Sequence, residues 1–198
     1  MNTVNQNLDV RQHVLNVAQK IISRRGYSAV GLNEILAAAD VPKGSFYYYF
    51  KSKEAFGEAL LQNYFEEYLN SMDTIFSNSN LNTSDRLISY WQNWLESQEA
   101  FDCQGKCLAV KLAAEVTDLS EAMRLALKSG TSEVISRLAN LIEAGQADGT
   151  LSMQHDSLSL AQTLYQMWLG ASLMTKITRN MEPMKNAMSA TKEILFKE

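Results

Sequence analysis

The clearest structural signal in this chain is the segment Asp40-Val41-Pro42-Lys43-Gly44-Ser45-Phe46-Tyr47-Tyr48-Tyr49-Phe50. Pro42 has a fixed φ and no N–H, so it is suited to the first position of a helix. We therefore predict a turn followed by a very short helix over about 43–50. Phe46 and Phe50, four residues apart, share one helix face and are predicted to be buried. Three consecutive tyrosines cannot all share that face, because successive helical residues point ~100° apart, so at least one is predicted to be exposed.

The segments on both sides of this stretch have the apolar spacing of helices. Asp9 is predicted to cap a first helix that ends at Gly26, and a second helix is predicted over 32–39. Ser52 is predicted to cap a fourth helix that runs to about Phe76. Five further helices are predicted at about 84–100, 105–116, 120–147, 157–180 and 184–197. No alternating strand pattern is visible, so the predicted fold is all-α with about nine helices.

Composition limits the class of protein. The chain has 198 residues, of which 46% are hydrophobic, and it contains only two prolines. This supports a helical globular fold with a substantial core. The polar start and the lack of an uninterrupted apolar run of about 18 residues predict a cytoplasmic protein without a membrane partner. Two cysteines, Cys103 and Cys107, are too few for a fold that depends on disulfides.

The charge is unevenly distributed. The formal net charge is −4, but residues 1–56 contain seven basic and four acidic residues, a net charge of +3. The rest of the chain has a net charge of −7. Such asymmetry favours contact between the N-terminal segment and a polyanion, although a segment this short can acquire it by chance.

Three short helices joined by tight turns within about 40 residues fit a helix-turn-helix, in which one helix enters the major groove of DNA. The helix at 43–50 would be that recognition helix. Lys43 can reach a base edge or a phosphate, and Gly44 allows the backbone to approach closely. Ser45 and the tyrosine hydroxyls can bond phosphate oxygens, and the first backbone N–H groups of the helix attract phosphate.

The order and spacing of residues 26–55 make the resemblance specific: Gly26-Tyr27, Glu34-Ile35 and the run from Ala38 to Ala55 resemble the DNA-binding domain of the TetR family of bacterial transcriptional regulators. The resemblance covers about residues 10–60. It implies a DNA-binding domain at 1–52 and an inducer-sensing and dimerisation domain at 53–198. It also implies a homodimer that binds a palindromic double-stranded operator and represses, with the last two helices at the dimer interface. The DNA contacts that it implies are Lys43, Gly44, Ser45, Tyr47, Tyr48, Tyr49 and Lys53.

The cysteine segment allows two interpretations from the residues alone. If the sixth helix begins near Gly105, Cys107 lies in its first turn, where the helix N-terminus and the neighbouring Lys106 favour a reactive thiolate. In the second interpretation, Cys107 is a buried cysteine that acts as a small apolar side chain. A zinc site is disfavoured, because two cysteines and two histidines far apart in the sequence do not form a four-ligand set.

A second resemblance bears on Cys107. Several segments are similar to a branch of the same family typified by the repressor of N-ethylmaleimide reductase, whose members respond to electrophiles and oxidants through a cysteine. These segments are residues 105–124 and 168–173, Lys176-Ile177 and Glu182-Pro183. Cys107 matches the sensing cysteine, and Lys176 matches a lysine that pairs with the modified sulfur. The resemblance implies a repressor that leaves its operator when an electrophile or oxidant modifies Cys107.

Aromatic residues suggest another way to bind a small molecule, because they can line a ligand cavity or simply form core. The candidates are Tyr90, Trp91, Trp94, Phe101, Tyr165 and Trp168. A second stripe with helical spacing belongs either to the dimer interface or to the core of one subunit, and comprises Leu160, Leu164, Trp168, Ala171 and Thr175.

Three functions follow from these observations. The first is a dimeric repressor released by modification of Cys107, and the second is a repressor induced by a reversible apolar ligand. The third is an all-α interaction module without DNA binding. An enzyme is not expected, because the sequence has no recognisable nucleophile–base–acid set, phosphate loop or metal cluster, and no cofactor is expected.

Overall fold

The computed structural model describes residues 3–98 and 108–196, with side chains from Val10 onward. The described residues form nine helices and no strand, so the predicted all-α fold is confirmed. The helices are α1 (Thr3–Arg25), α2 (Leu32–Ala39), α3 (Lys43–Phe50), α4 (Lys53–Phe76), α5 (Thr83–Glu96), α6 (Leu108–Thr117), α7 (Glu121–Ala147), α8 (Ser157–Thr178) and α9 (Glu182–Phe196).

The predicted bounds of α2 and α3 are confirmed, but the predicted start of the first helix and the predicted place of Pro42 were wrong. The first helix begins at Thr3, upstream of Asp9, and the residues before Asp9 contain no helix breaker. These residues are polar and have no apolar spacing, so the sequence pattern did not indicate that they are helical. Pro42 is the N-cap of α3 rather than its first residue, since its ψ of 146° is extended. The fifth helix is shorter than predicted and ends at Glu96.

The described residues divide into two compact units. The first unit contains the described residues up to Glu66 and those from Leu108 to Ser129, and the second contains those from Glu67 to Gln98 and from Gly130 onward. The helices α4 and α7 therefore each contribute to both units.

Sharp turns separate the first three helices. Gly26 has a φ of +93°, a left-handed conformation that glycine tolerates, and it ends α1 as predicted. Asp40 ends α2 with a φ of 53°, and the backbone N–H of Val41 then donates to the carbonyl oxygen of Leu36 at 3.0 Å. Asp accepts this conformation better than most residues. Beyond α3, the hydroxyl of Ser52 accepts a hydrogen bond from the N–H of Ala55 at 3.0 Å, which confirms the predicted cap of α4.

The core of the first unit holds α3 in place by one face. Phe46 and Phe50 are buried as predicted, with 0% and 3% of their surfaces exposed. Their rings meet Phe56 of α4 at centroid distances of 5.3 and 5.0 Å. Further core side chains of this unit come from α1 and α2, and include Val14, Leu15, Ala18, Ile22, Ile35 and Leu36. The short helix α3 is thus fixed by tertiary packing rather than by its own length.

The core of the second unit is rich in aromatic residues. Trp91 of α5 stacks on Trp168 of α8 with ring centroids 4.8 Å apart. The indole N–H of Trp168 donates to Thr191 of α9 at 2.9 Å, and that of Trp94 donates to Ser172 of α8 at the same distance. Within this single chain Leu160, Leu164, Trp168 and Thr175 are already buried, and Ala171 is half-buried. The stripe formed by these five residues therefore belongs to the core of one subunit rather than to a dimer interface.

In the part of the chain that the structure describes, no helix has the length and apolar character that crossing a membrane requires.

Replacement of Phe46 by Ala should destabilise the protein by about 3–5 kcal/mol, since it removes a fully buried ring. That is a large share of the 5–15 kcal/mol that typically stabilises a domain. Urea denaturation followed by circular dichroism measures the change. The matched variant Tyr48→Ala, on the opposite face of α3, should change stability by less than about 1 kcal/mol. Equal losses in the two variants would contradict the assignment of the buried face.

Candidate nucleic-acid interface

The outer face of α3 is polar, aromatic and open. Tyr48 is 71% exposed and Tyr47 is 46% exposed, which confirms that at least one tyrosine lies on the surface. Lys43 is exposed at the start of the helix, whereas Ser45 and Tyr49 are half-buried. The ring of Tyr48 meets that of Tyr49 edge to face at 5.1 Å. Six of the seven predicted DNA-contact residues thus occur on one short helix, and the most exposed of the large side chains among them is that of Tyr48.

The start of α3 is accessible to a partner. Pro42 has no side-chain hydrogen bond to the helix, so no side chain of the N-cap covers the first turn. A Cβ added at Gly44 would meet no atom within 4 Å. The fold therefore does not require glycine at this position, and the open space leaves room for close approach of a phosphate to the backbone.

Lys53 differs from the other predicted contacts, because the protein itself holds its ammonium group. Its Nζ donates to the carbonyl oxygen of Val30 at 3.2 Å and lies 5.0 Å from the ring centroid of Tyr27. The hydroxyl of Tyr27 in turn donates to the carbonyl oxygen of Lys53 at 2.5 Å. Lys53 therefore joins the start of α4 to the turn between α1 and α2, and its role toward DNA stays a prediction.

The same turn is bound by α6, a contact that the sequence analysis missed. The carboxylate of Glu115 accepts a hydrogen bond from the N–H of Tyr27 at 3.0 Å and another from the N–H of Ser28. The ammonium of Lys111, one helical turn earlier, donates to the carbonyl oxygen of Arg24 at the end of α1. We call these three residue contacts, Glu115 to Tyr27, Glu115 to Ser28 and Lys111 to Arg24, the α6 clamp.

The electrostatics of the clamp favour an ionised carboxylate. Partial burial acts to raise the pKa of Glu115, but the hydrogen bonds from Ser28 and Tyr27 outweigh it, and Lys111 adds to their effect. The pKa of Glu115 is consequently lowered from its ordinary value of 4.5. Burial, followed by the charges of Glu54 and Glu115, raises the pKa of the Tyr27 phenol to about 12, so this hydroxyl stays a donor at neutral pH.

The predicted sensing residues are described only in part. Lys176 is exposed in the last turn of α8. Cys103, Cys107 and the aromatic residue Phe101 lie outside the described residues, and the described part of α6 begins at Leu108. The pairing of Cys107 with Lys176 stays a prediction.

The remaining aromatic candidates do come together. Tyr90, Trp91, Trp94, Tyr165 and Trp168 form one buried cluster, with Trp91 and Trp94 stacked at 5.9 Å and Trp94 and Tyr165 at 5.7 Å. Among the described residues, the buried indole N–H of Trp91 finds no hydrogen-bond acceptor. Buried donors without an acceptor are rare in proteins, which distinguishes Trp91 from the two other tryptophans.

Comparisons with known proteins agree with this architecture. Residues 14–60 match the model of the bacterial regulatory proteins of the tetR family, and residues 83–191 match a tetracyclin repressor-like C-terminal domain. The chain is 41% identical over 187 residues to the HTH-type transcriptional repressor NemR of Escherichia coli K12, which covers 94% of both chains. It is 33% identical to the repressor DhaR of a Mycobacterium species, over 94% of this chain and 92% of that one.

A solved structure shows the same fold. The crystal structure of the reduced form of E. coli NemR superposes with a TM-score of 0.90 at 40% identity, over 96% of this chain and 98% of that one. The helix-turn-helix with an open recognition helix defines a DNA-binding regulator. The chain belongs to the TetR family of bacterial transcriptional regulators.

Replacement of Gly44 by Ala tests whether this glycine is needed for the fold or for close approach to DNA. The new Cβ lies in open space, and Ala is preferred over Gly within helices by about 0.5–1 kcal/mol. The free energy of unfolding should therefore stay equal or rise, whereas affinity for operator DNA should fall by at least about ten-fold because the backbone can no longer approach a phosphate. Urea denaturation and fluorescence anisotropy measure the two quantities. Unchanged operator affinity would show that α3 does not approach DNA through its first turn.

Proposed function

We propose that this protein is a homodimeric repressor that binds a palindromic operator and leaves it when a reactive electrophile or oxidant modifies Cys107. Residues 1–52 bind the DNA, and residues 53–198 sense the inducer and form the dimer. The observation that carries the proposal is the two-sided character of α3, with Phe46 and Phe50 buried and with Lys43, Tyr47 and Tyr48 exposed.

The exposed side of α3 has the chemistry that duplex DNA requires. The Lys43 ammonium can bond a guanine edge or a phosphate, and the exposed tyrosines can bond phosphate oxygens or pack on sugars and thymine methyl groups. The net charge of +3 over residues 1–56 adds a general attraction to the phosphate backbone. A dimer would place two copies of α3 in half-sites one turn of DNA apart, about 34–36 Å.

Repression and thiol sensing are supported by the relatives. NemR, at 41% identity over nearly the whole chain, is described as a transcriptional repressor, and so is DhaR. The solved structure of NemR is described as its reduced form, which indicates that the redox state of that relative was distinguished. These descriptions apply to the relatives, and we extend them to this chain through Cys107.

The chemistry at Cys107 requires only one thiol. Its thiolate adds to the β-carbon of an α,β-unsaturated carbonyl compound, so a C–S bond forms while the C=C π bond breaks. A proton from water completes the product at the α-carbon. With hydrogen peroxide, the thiolate sulfur instead attacks one peroxide oxygen, so an S–O bond forms, the O–O bond breaks, and sulfenic acid and a hydroxide ion result. Either product enlarges the side chain at position 107, one residue before the described part of α6.

Replacement of Cys107 by Ser tests the covalent step. The variant should bind operator DNA as the unmodified protein does, because Ser is nearly isosteric with Cys. Treatment with a quinone should lower operator affinity at least about ten-fold in the unsubstituted protein and in the control Cys103→Ser, and leave Cys107→Ser unchanged. A gel shift before and after treatment measures this, with mass spectrometry to identify the modified cysteine. Release of Cys107→Ser from the operator by the quinone would overturn covalent sensing at this residue.

The dimer is supported by an apolar face that the single chain leaves uncovered. Leu173, Met174 and Ile177 are all exposed on α8, and the exposed fraction of Ile177 reaches 64%. Gly170, one turn earlier, has open space where a Cβ would be, which permits close approach of a second helix. An apolar patch of this kind favours burial against another subunit.

Replacement of Ile177 by Glu should dissociate the dimer, because a charge would be buried in the apolar interface. Light scattering should show a monomer, and operator affinity should fall by at least about 100-fold, since the two half-sites are then bound independently. The control Gln154→Glu adds the same charge in the exposed turn before α8 and should remain dimeric. A dimeric Ile177→Glu protein with normal operator affinity would contradict this interface.

A second candidate is induction by a reversible ligand at the aromatic cluster. The indole N–H of Trp91 favours it, because this N–H finds no acceptor among the described residues and a ligand carbonyl oxygen could accept its hydrogen bond. The Cys107→Ser variant distinguishes the two mechanisms, since a reversible ligand should release that variant and the unsubstituted protein equally well.

A further inference from the structure

The α6 clamp joins the start of the sensing region to the DNA-binding helices within the first compact unit. Glu115 binds the two backbone N–H groups of the turn after α1, at Tyr27 and Ser28, and Lys111 binds the last turn of α1 at Arg24. Glu115 is thus in direct contact with Tyr27 and Ser28, which precede it in the sequence by 88 and 87 positions. The adjacent face of α6, formed by Leu108, Leu112 and Val116, is buried, so α6 is held by core packing as well as by the clamp.

The contact continues from the turn toward the recognition helix. The Tyr27 ring lies beside the ammonium of Lys53, and its hydroxyl donates to the backbone of the same residue. Lys53 is the first residue of α4, three positions beyond the end of α3. A movement of α6 that displaces Tyr27 would therefore also displace the junction between α3 and α4.

Two glycines allow the close approach on which these contacts depend. A Cβ at Gly26 would lie 3.1 Å from Oε2 of Glu115. A Cβ at Gly57 of α4 would lie 2.7 Å from the Tyr27 hydroxyl and 2.6 Å from the sulfur of Met123 in α7. The turn therefore lies in close contact with α4 and α6, and a side chain at either glycine would require a neighbouring side chain to shift.

We propose that Glu115 and Lys111 are positioning residues that couple the state of α6 to the orientation of the recognition helix. The proposal rests on the proposed function, in which the modified residue is one position before the described part of α6. Release then travels from α6 through the turn at Tyr27 to the α3–α4 junction, and the clamp transmits it. A purely structural clamp would stabilise the fold without altering the response to an inducer.

Coupling of this kind is reciprocal. If the state of α6 changes operator affinity, operator binding must change the state of α6 by the same free energy. Operator DNA should therefore slow hydrogen exchange of backbone amides in residues 108–117, although no DNA contact is proposed there. This measurement does not need an electrophile, so it tests the coupling separately from the chemistry at Cys107.

The variant Glu115→Gln tests the clamp, with Glu121→Gln as the matched control. Both substitutions remove one negative charge, so they change the net charge of the protein equally. The Glu121 carboxylate accepts its hydrogen bonds from Arg124 in the same helix. Glutamine at position 115 presents an NH₂ group to a backbone donor and loses one of the two bonds.

The expected results differ between the two variants. Before treatment, both should bind the operator within about three-fold of each other. Quinone treatment should lower operator affinity at least about ten-fold in the control, within the usual range of allosteric coupling, and less than about three-fold in Glu115→Gln. Operator DNA should slow exchange in α6 of the control and have little effect on α6 of Glu115→Gln. Should Glu115→Gln fail to fold, Lys111→Gln with Lys128→Gln as its control replaces it.

Two results would overturn the coupling: a Glu115→Gln protein that responds to quinone as the control does, or bound operator DNA that leaves exchange in residues 108–117 unchanged in the unsubstituted protein. A different result would reject only the covalent trigger. In that case quinone would fail to release the unsubstituted protein from the operator, but operator DNA would still slow hydrogen exchange in its α6 and not in that of Glu115→Gln. This combination would support the coupling.

Discussion

The burial of Phe46 and Phe50 against Phe56 is the interaction on which the rest of the structure depends. An isolated helix of eight residues is not stable in water, so α3 exists because these two rings are anchored in the core. Helical geometry then determines the positions of the residues between them. With the phenylalanines inside, Tyr47 and Tyr48 must face outward, and the protein presents a rigid aromatic and cationic surface rather than a flexible loop.

A rigid recognition helix can be controlled through the residues that hold it. The first unit contains such a set, because α6 binds the turn after α1 and this turn binds the start of α4 through Tyr27 and Lys53. Each contact involves a backbone group or a charged side chain, and backbone groups cannot be repositioned without moving the helices. A change in α6 of a few tenths of an ångström therefore has a direct structural route to α3. The α6 clamp requires no conformational change in the second unit.

Local features were predictable from the sequence, whereas contacts between distant residues were not. Pro42, Asp40 and the spacing of Phe46 and Phe50 are local signals of where α2 and α3 begin and end, so their bounds could be predicted to the residue. The start of α1 was missed because its first residues are polar and give no apolar period. Glu115 pairs with Tyr27 across 88 positions, and no local pattern indicates such a pair. Lys53 was predicted to contact DNA, but its ammonium group donates to the carbonyl oxygen of Val30 and lies over the ring of Tyr27. The contact roles of Lys43 to Tyr49 and of Cys107 and Lys176 remain predictions.

The salt dependence of operator binding tests most directly whether α3 enters DNA. Affinity for the DNA upstream of the protein's own gene is measured by fluorescence anisotropy between about 50 and about 200 mM salt, for the unsubstituted protein and for Lys43→Ala. The logarithm of affinity should fall linearly with the logarithm of salt concentration, by about 0.9 for each neutralised phosphate. Lys43→Ala should reduce that slope by about 1 for each subunit if Lys43 contacts a phosphate, or weaken binding with relaxed sequence preference if it contacts a base. Equal affinity, slope and sequence preference in the two proteins, or no binding at low salt, would contradict the account.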